Sequence, residues 1–195
     1  PGAIDLIPSS GSISFSAVRF AYGTETVGGT QGVESPPTVL DDFNLEVPAG
    51  QTIAIVGRTG SGKSTIARLL MRFYELQAGV ITLDGHDITS LTQRSLRGAI
   101  SLVPDEPFLF STSVHENIAY GNPGATSEEV EAAARAAQAH DFIVGLDDGY
   151  KTIVGERGYD LSGGQRQRIS LARLFLQDSK VIILDDSTSA IDVEI

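Results

Sequence analysis

The chain has 195 residues, 41% hydrophobic and 20% charged, which fits one domain of ordinary size or slightly more with a real core, and argues against disorder of the whole chain. Its formal net charge of −11 argues against a nucleic-acid backbone as main partner, because such a partner needs a basic face; nucleotides stay open, since they need only a local positive site. Cysteine is absent, which excludes disulfides and thiolate zinc sites and fits a reducing compartment.

The N-terminus, Pro1-Gly2-Ala3-Ile4-Asp5, lacks the basic region and apolar core of a signal peptide. No apolar run approaches the length of a membrane span, so any membrane role is expected to come through partner segments. Ile13, Phe15 and Ala17, then Val18, Phe20 and Tyr22, alternate with small or polar residues and read as an edge or half-buried strand over 13–22. Residues 23–37, rich in Gly, Thr, Ser and Pro, read as a mobile hairpin loop. A second strand is expected near Val39–Val47, then a turn at Pro48-Ala49-Gly50, then a buried strand over Gln51–Val56. Ile66, Leu69, Leu70 and Phe73 recur at helical spacing and predict a helix over 63–74.

From about 88 to 160 the pattern turns helical. Thr126-Ser127-Glu128-Glu129 fits a capping box that opens a helix through Ala139. A further helix is expected from Gly163 to Gln177, then a turn at Asp178-Ser179-Lys180 and a buried strand at Val181–Leu184.

The chemistry lies in two phrases about a hundred residues apart. The first, Gly57-Arg58-Thr59-Gly60-Ser61-Gly62-Lys63-Ser64, has the phosphate-binding form GxxxxGK[ST]. Its glycines let the backbone curl so that N–H groups point inward at phosphate oxygens, and the following helix adds its positive dipole end. Lys63 can reach the β- and γ-phosphates, and the Ser64 hydroxyl can hold Mg2+. At an ordinary glycine content of about 7%, a chain of this length would show the pattern by chance roughly once in a hundred, and the strand–loop–helix context lowers that further. Asp185 follows an apolar strand, the position for a carboxylate near Mg2+ if its strand neighbours that of the phosphate loop in a parallel sheet. The second phrase, Leu161-Ser162-Gly163-Gly164-Gln165, puts glycine N–H groups and a hydroxyl at a helix start, which suits an anion. Ser162 also reads as a plain N-cap, but capping alone does not explain the Gly-Gly-Gln run.

These residues resemble the nucleotide-binding domain of an ATP-binding-cassette transporter of the exporter type, over about Ile13 to Asp192. The resemblance implies an α/β fold: a P-loop NTPase core with a parallel sheet (51–88 and 163–195), an antiparallel β subdomain (11–50) and a helical subdomain carrying the signature (89–162). It implies ATP and Mg2+ as ligands. Tyr22 stands at the family's adenine-stacking position, with strand packing as its plainer reading. Arg58, Thr59, Gly60, Ser61, Gly62, Lys63, Ser64 and Thr65 would hold one nucleotide, while Ser162, Gly163, Gly164 and Gln165 would cap the one held by a second, facing domain. Ser64, Asp105 and Asp185 would hold the metal, and Asp186, Asp105 and Lys63 would act in hydrolysis. Residues 79–85 resemble the family's strand–turn segment, and Ile100–Phe110 its Q-loop. Ser113–Ile118 follows as in exporters. Residues 152–158 resemble the X-loop that touches transmembrane domains, and Ser189-Ala190-Ile191-Asp192 the D-loop.

Three departures stand out. Asp186 occupies the position where the family normally has Glu, the residue that polarises the attacking water. Asp is one bond shorter, about 1.5 Å, and a ~1 Å misplacement can cost on the order of a hundredfold. Asp105 stands where the Q-loop has Gln; at ~6 Å and an effective dielectric of ~20, an added charge beside the γ-phosphate repels by roughly 3 kcal/mol before Mg2+ offsets it. The switch histidine lies beyond Asp185 in the family, whereas His86, His115 and His140 precede it and read as ordinary surface or loop histidines. The chain is therefore expected to be C-terminally truncated.

The expectation is an ATP-driven exporter module on the cytoplasmic face of a membrane. It would pair with a second such domain, more readily a different one than a copy, and with transmembrane domains. Intact signature and degenerate catalytic positions together resemble the slow half of a heterodimer. A regulatory nucleotide-binding module with little hydrolysis is the alternative. A soluble cassette ATPase of DNA repair or translation is disfavoured by the acidic charge and the exporter-like X-loop.

Overall fold

The computed structural model describes residues 2–6, 10–23, 37–104, 107–155, 160–177 and 179–185. The expected 23–37 loop falls almost wholly outside them, as do Asp105, Asp186, the D-loop segment 189–192 and the later part of the X-loop segment. The chain divides into two compact units, residues 1–100 and 101–195.

The first unit is built on a four-stranded sheet in the order β2-β1-β3-β4, with β1 at Ile13–Ala21, β2 at Thr38–Val47, β3 at Ala78–Leu83 and β4 at His86–Asp87. All three pairings are antiparallel. β1 is thus an interior strand with two partners, half-buried as its alternation implies but not an edge. Its inward residues are Phe15, Val18 and Phe20, a spacing that breaks the period of two. The register shifts between Phe15 and Val18, where Ala17 has φ 48°. This β-bulge turns the phase slip in the sequence into one continuous core face. Gly79 passes against it on β3: a Cβ there would lie 2.4 Å from the Ala17 carbonyl oxygen, so only glycine fits. Asp84 and Gly85, both with positive φ (50° and 77°), make the two-residue turn between β3 and β4.

α1 (Lys63–Leu70) buries Ile66, Leu69 and Leu70 as the spacing predicts, but it ends before Phe73. Arg72 takes φ 53°, its N–H bonds to the Leu69 carbonyl, and the Phe73 N–H bonds to the Arg68 carbonyl, both at 2.9 Å. This is a Schellman finish with arginine in the place glycine usually takes. α2 (Gln93–Ala99) starts at Thr92, whose hydroxyl accepts the Ser95 N–H.

The buried strand expected over Gln51–Val56 is not formed: the segment has no ladder partner among the described residues, and Val56 is 87% exposed. Strand conformation needs a neighbour to take its N–H and C=O groups. The antiparallel sheet of this unit has its edges at β2 and β4 and does not add it.

In the second unit, β5 (Ile100–Val103) pairs with β6 (Val181–Leu184). The connection between them runs through helices, the crossover form that parallel strands require. β6 matches its expected bounds but buries only the Val181 face, leaving Ile182 and Leu184 exposed. The unit's core gathers Ile118, Val130, Ile143 and Ile169 from α3 (Val114–Ala119), α4 (Ser127–Ala136), α5 (His140–Val144) and α6 (Gly163–Phe175), with Leu109 from the segment before α3. The Thr126/Glu129 capping box opens α4 as expected. α4 stops short of Ala139 because Gln138 takes φ 52° and the Ala139 N–H bonds back to the Ala134 carbonyl, a second Schellman finish without glycine.

Candidate functional site

Gly60 and Gly62 have φ of 82° and 91°, a region that side-chain-bearing residues avoid, so the loop from 57 to 62 can curl only with glycine at these points. Gly62 is the N-cap of α1 and offers no side-chain acceptor, so no side chain caps the start of the helix. The Lys63 ammonium folds back over the loop and donates to the carbonyls of Gly57 and Arg58 at 3.1 and 3.2 Å. A cation, a helix start without a side-chain cap and a glycine backbone therefore meet at one turn. Phosphate oxygens there would take over the Lys63 bonds with stronger, charge-assisted ones. Residues 57–61 are exposed, so a ligand can reach them, while Thr65 is buried and Ser64 is half-buried in the first turn.

Tyr22 follows β1 directly and lies beside this helix. Its hydroxyl is 2.9 Å from the Thr65 hydroxyl. Phe20 and Tyr74 meet its ring edge-on, at centroid distances of 4.8 and 5.2 Å. The first unit thus brings the expected aromatic residue and phosphate loop together. The Tyr22–Thr65 bond and the Tyr22–Tyr74 ring contact were not legible from the motifs.

The second unit carries Asp185 and the signature. Asp185 stands at the end of β6, and its N–H bonds to the Val103 carbonyl at the end of β5 at 3.0 Å. Asp105 follows two residues after Val103 and Asp186 directly after Asp185, so two adjacent strand ends lead to both carboxylates; the two residues themselves lie outside the described region. Among the described residues no cluster of three or more His, Cys, Asp or Glu side chains forms a metal cage. Each unit separately offers a hard oxygen donor, the Ser64 hydroxyl in the first and the Asp185 carboxylate in the second.

Ser162 caps α6: its hydroxyl accepts the Gln165 N–H, and the Gln165 side chain accepts the Ser162 N–H. Ser162 and Gly163 are exposed. A Cβ at Gly163 would meet nothing closer than 3.9 Å. Glycine costs a helix about 1 kcal/mol relative to alanine, and packing does not demand it here. An exposed glycine backbone with that cost fits close approach by another molecule.

α6 is tied to the residues after the Q-loop position. Arg173 donates to the carbonyls of Asn117 and Phe108 at 2.9 and 3.3 Å and lies over the Phe110 and Tyr120 rings. Burial pulls the Arg173 pKa down from its ordinary value. Asn117 in turn bonds to both backbone groups of Phe110, accepting at 2.8 Å and donating at 2.9 Å. The 113–118 segment also pairs with the start of the X-loop segment: Val114 N–H bonds to the Thr152 carbonyl and Val154 N–H to the Thr112 carbonyl. The two stretches that resemble exporters are therefore neighbours. Of the histidines, His86 is exposed, whereas His115 and His140 are half-buried, and His140 Nδ1 is 2.9 Å from the Tyr150 hydroxyl.

Residues 40–189, holding the phosphate loop, the signature and Asp185, match the ABC transporter family. The chain belongs to that family. Its ABC fold aligns with a solved bacterial Atm1-family ABC exporter with ATP bound at a TM-score of 0.90 and 43% identity, over 99% of this chain and 32% of that one. The ATP-dependent lipid A-core flippase of Desulfotalea psychrophila is 47% identical over 194 residues, 100% of this chain and 32% of the flippase. ABC transporter B family member 19 of Arabidopsis thaliana is 50% identical over 186 residues, 94% of this chain and 14% of that protein. The chain spans about a third or less of these ABC proteins.

Proposed function

We propose that this chain is the ATP-binding and ATP-hydrolysing domain of an ABC exporter, powering translocation through ATP-driven dimerisation. The observation that carries the reading is the turn where Lys63, Gly60, Gly62 and a start of α1 without a side-chain cap converge. Lys63 binds the β- and γ-phosphates, the backbone N–H groups of 60–65 cradle them, and Tyr22 stacks on the adenine. Ser64, Asp105 and Asp185 would hold Mg2+, which neutralises phosphate charge. Asp186 orients the attacking water. The Ser162–Gln165 helix start, exposed at Ser162 and Gly163, caps the nucleotide of a facing domain, so two domains close around ATP, and hydrolysis with product release reopens them.

The antiparallel region 11–50 holds the base, 51–88 with 163–195 forms the nucleotide core, and the helical region 89–162 carries movement outward. The paired 113–118 and 152–155 stretches suit contact with transmembrane domains at the cytoplasmic face of a membrane. Asp186 and Asp105 make this the slow half of a heterodimer, holding its own ATP while completing the partner's site.

ATP turnover by the full-length protein, alone and mixed with a partner domain bearing Glu at the Asp186 position, tests this. Tight binding with slow turnover, accelerated by the partner, is expected. Rapid turnover alone would overturn the slow-half assignment. No turnover in any mixture would favour a regulatory nucleotide-binding module.

A further inference from the structure

We infer that Tyr74 is a positioning residue for nucleotide binding: it holds the Tyr22 ring in place through an edge-on contact set by the turn that ends α1. The inference rests on the reading of Tyr22 as the adenine platform. A stacking residue has to present a ring at a fixed angle, and a ring at the end of a strand is otherwise free to rotate about χ1 and χ2. Tyr22 is restrained on several sides. Its hydroxyl is tied to Thr65 at 2.9 Å. Phe20 meets it at 84° and Tyr74 at 87°, and Phe20 and Tyr74 also touch each other at 5.6 Å. Perpendicular pairs place a positive ring edge on a negative face and are directional, unlike general apolar contact.

Phe20 is buried in the sheet core, so fold stability alone accounts for it. Tyr74 is 42% exposed and has no such excuse. Its backbone is nevertheless held at both ends. Arg97 clamps the Schellman turn, donating to the carbonyls of Met71 and Arg72 at 3.1 and 3.2 Å while its guanidinium covers Phe73. Phe73 and Tyr74 thus meet different neighbours. Downstream, the Gln77 side chain accepts the Ala21 N–H at 2.7 Å and donates to the Ala21 carbonyl at 3.1 Å. The residue before Tyr22 is therefore bonded to the segment that carries Tyr74. An exposed tyrosine on a doubly anchored turn, edge-on to the platform ring, is an arrangement that orients that ring.

The test compares ATP with inorganic tripolyphosphate, which lacks the base, in equilibrium binding to the full-length protein. Tyr74→Ala is expected to weaken ATP binding about three- to tenfold and to leave tripolyphosphate binding unchanged. Tyr74→Phe keeps the ring edge and should restore ATP affinity. Combined with Tyr22→Ala, Tyr74→Ala should add no further loss, because it acts through that ring. Equal loss for ATP and tripolyphosphate, failure of Tyr74→Phe to rescue, or full additivity with Tyr22→Ala would each overturn the inference. If Tyr22→Ala weakens ATP binding and Tyr74→Ala does not, the platform stands and the inference falls. If Tyr22→Ala itself leaves ATP binding unchanged, the platform reading fails and the inference falls with it.

Discussion

Ser162 and Gln165 cap each other: the Ser162 hydroxyl accepts the Gln165 N–H at 3.2 Å, and the Gln165 side-chain oxygen accepts the Ser162 N–H at 2.9 Å. The two polar side chains of the signature therefore stabilise the helix that presents it. Ser162→Ala should cost about 1 kcal/mol of stability from the lost cap. In the proposed sandwich it should also slow turnover in a competent partner while this chain's own ATP affinity stays the same. Urea unfolding, nucleotide titration and a mixed-domain ATPase assay read the three effects separately. Lost stability with undiminished partner turnover would reduce Ser162 to a helix cap.

Lys63 makes its bonds to exposed loop carbonyls, so the fold should not depend on it. Lys63→Ala is expected to abolish tight ATP binding with little change in unfolding midpoint. A fluorescent-nucleotide titration beside a thermal melt checks both, and retained affinity would sink the phosphate-loop assignment.

Arg173→Ala removes a half-buried cation and leaves the Asn117 and Phe108 carbonyls without its bonds. The expected loss is about 2–3 kcal/mol, the cost of unsatisfied groups together with the lost ring contacts. Arg173→Lys should recover only part, because an ammonium cannot reproduce the fork of donors. Chemical unfolding of the three proteins side by side would show the order.

Glu116 is exposed, and its carboxylate accepts bonds from the Thr112 hydroxyl and from the Ser113 hydroxyl and N–H, which hold its pKa below the usual value of 4.5. A folded pKa below the unfolded one adds stability above pH 4.5, and that increment disappears as pH falls through the lower, folded value. Glu116→Gln should therefore be less stable than the native chain at pH 6, with the gap closing in acid. A gap that does not change from pH 6 to pH 3 would remove the ionic part of this cap.

Asp186→Glu should lengthen the reach to the attacking water and raise hydrolysis by up to about a hundredfold in a full-length dimer. Single-turnover ATP hydrolysis measures it. An unchanged rate would shift the cause of slow turnover to Asp105 or to the partner.

Much of this chain could be read directly. The capping box at Thr126 and the N-cap at Ser162 are local, since hydroxyl and backbone lie within four residues, and both formed where expected, Ser162 gaining a reciprocal bond from Gln165. The strands β1, β2 and β6 also lie within a residue of their expected bounds. Helix ends were harder. Arg72 and Gln138 adopt left-handed backbone without being glycine, at a cost of about 1–2 kcal/mol each, and the sequence carries no mark of it. Gln51–Val56 has the alternation and bulk of a strand, yet burial depends on a neighbour that no local pattern supplies.

The site divides in the same way. The phosphate side of the proposed site, Gly60, Gly62 and Lys63, is legible in the sequence, because helix start, glycine freedom and cation fall within a few residues. The base side is not. Tyr22, Thr65 and Tyr74 come from a strand, a helix and a turn, and only folding sets the ring of one against the hydroxyl and ring of the others. Contacts within a few residues follow from chain connectivity; those between Tyr22, Thr65 and Tyr74 depend on where β1 and α1 pack, which the tertiary structure alone decides.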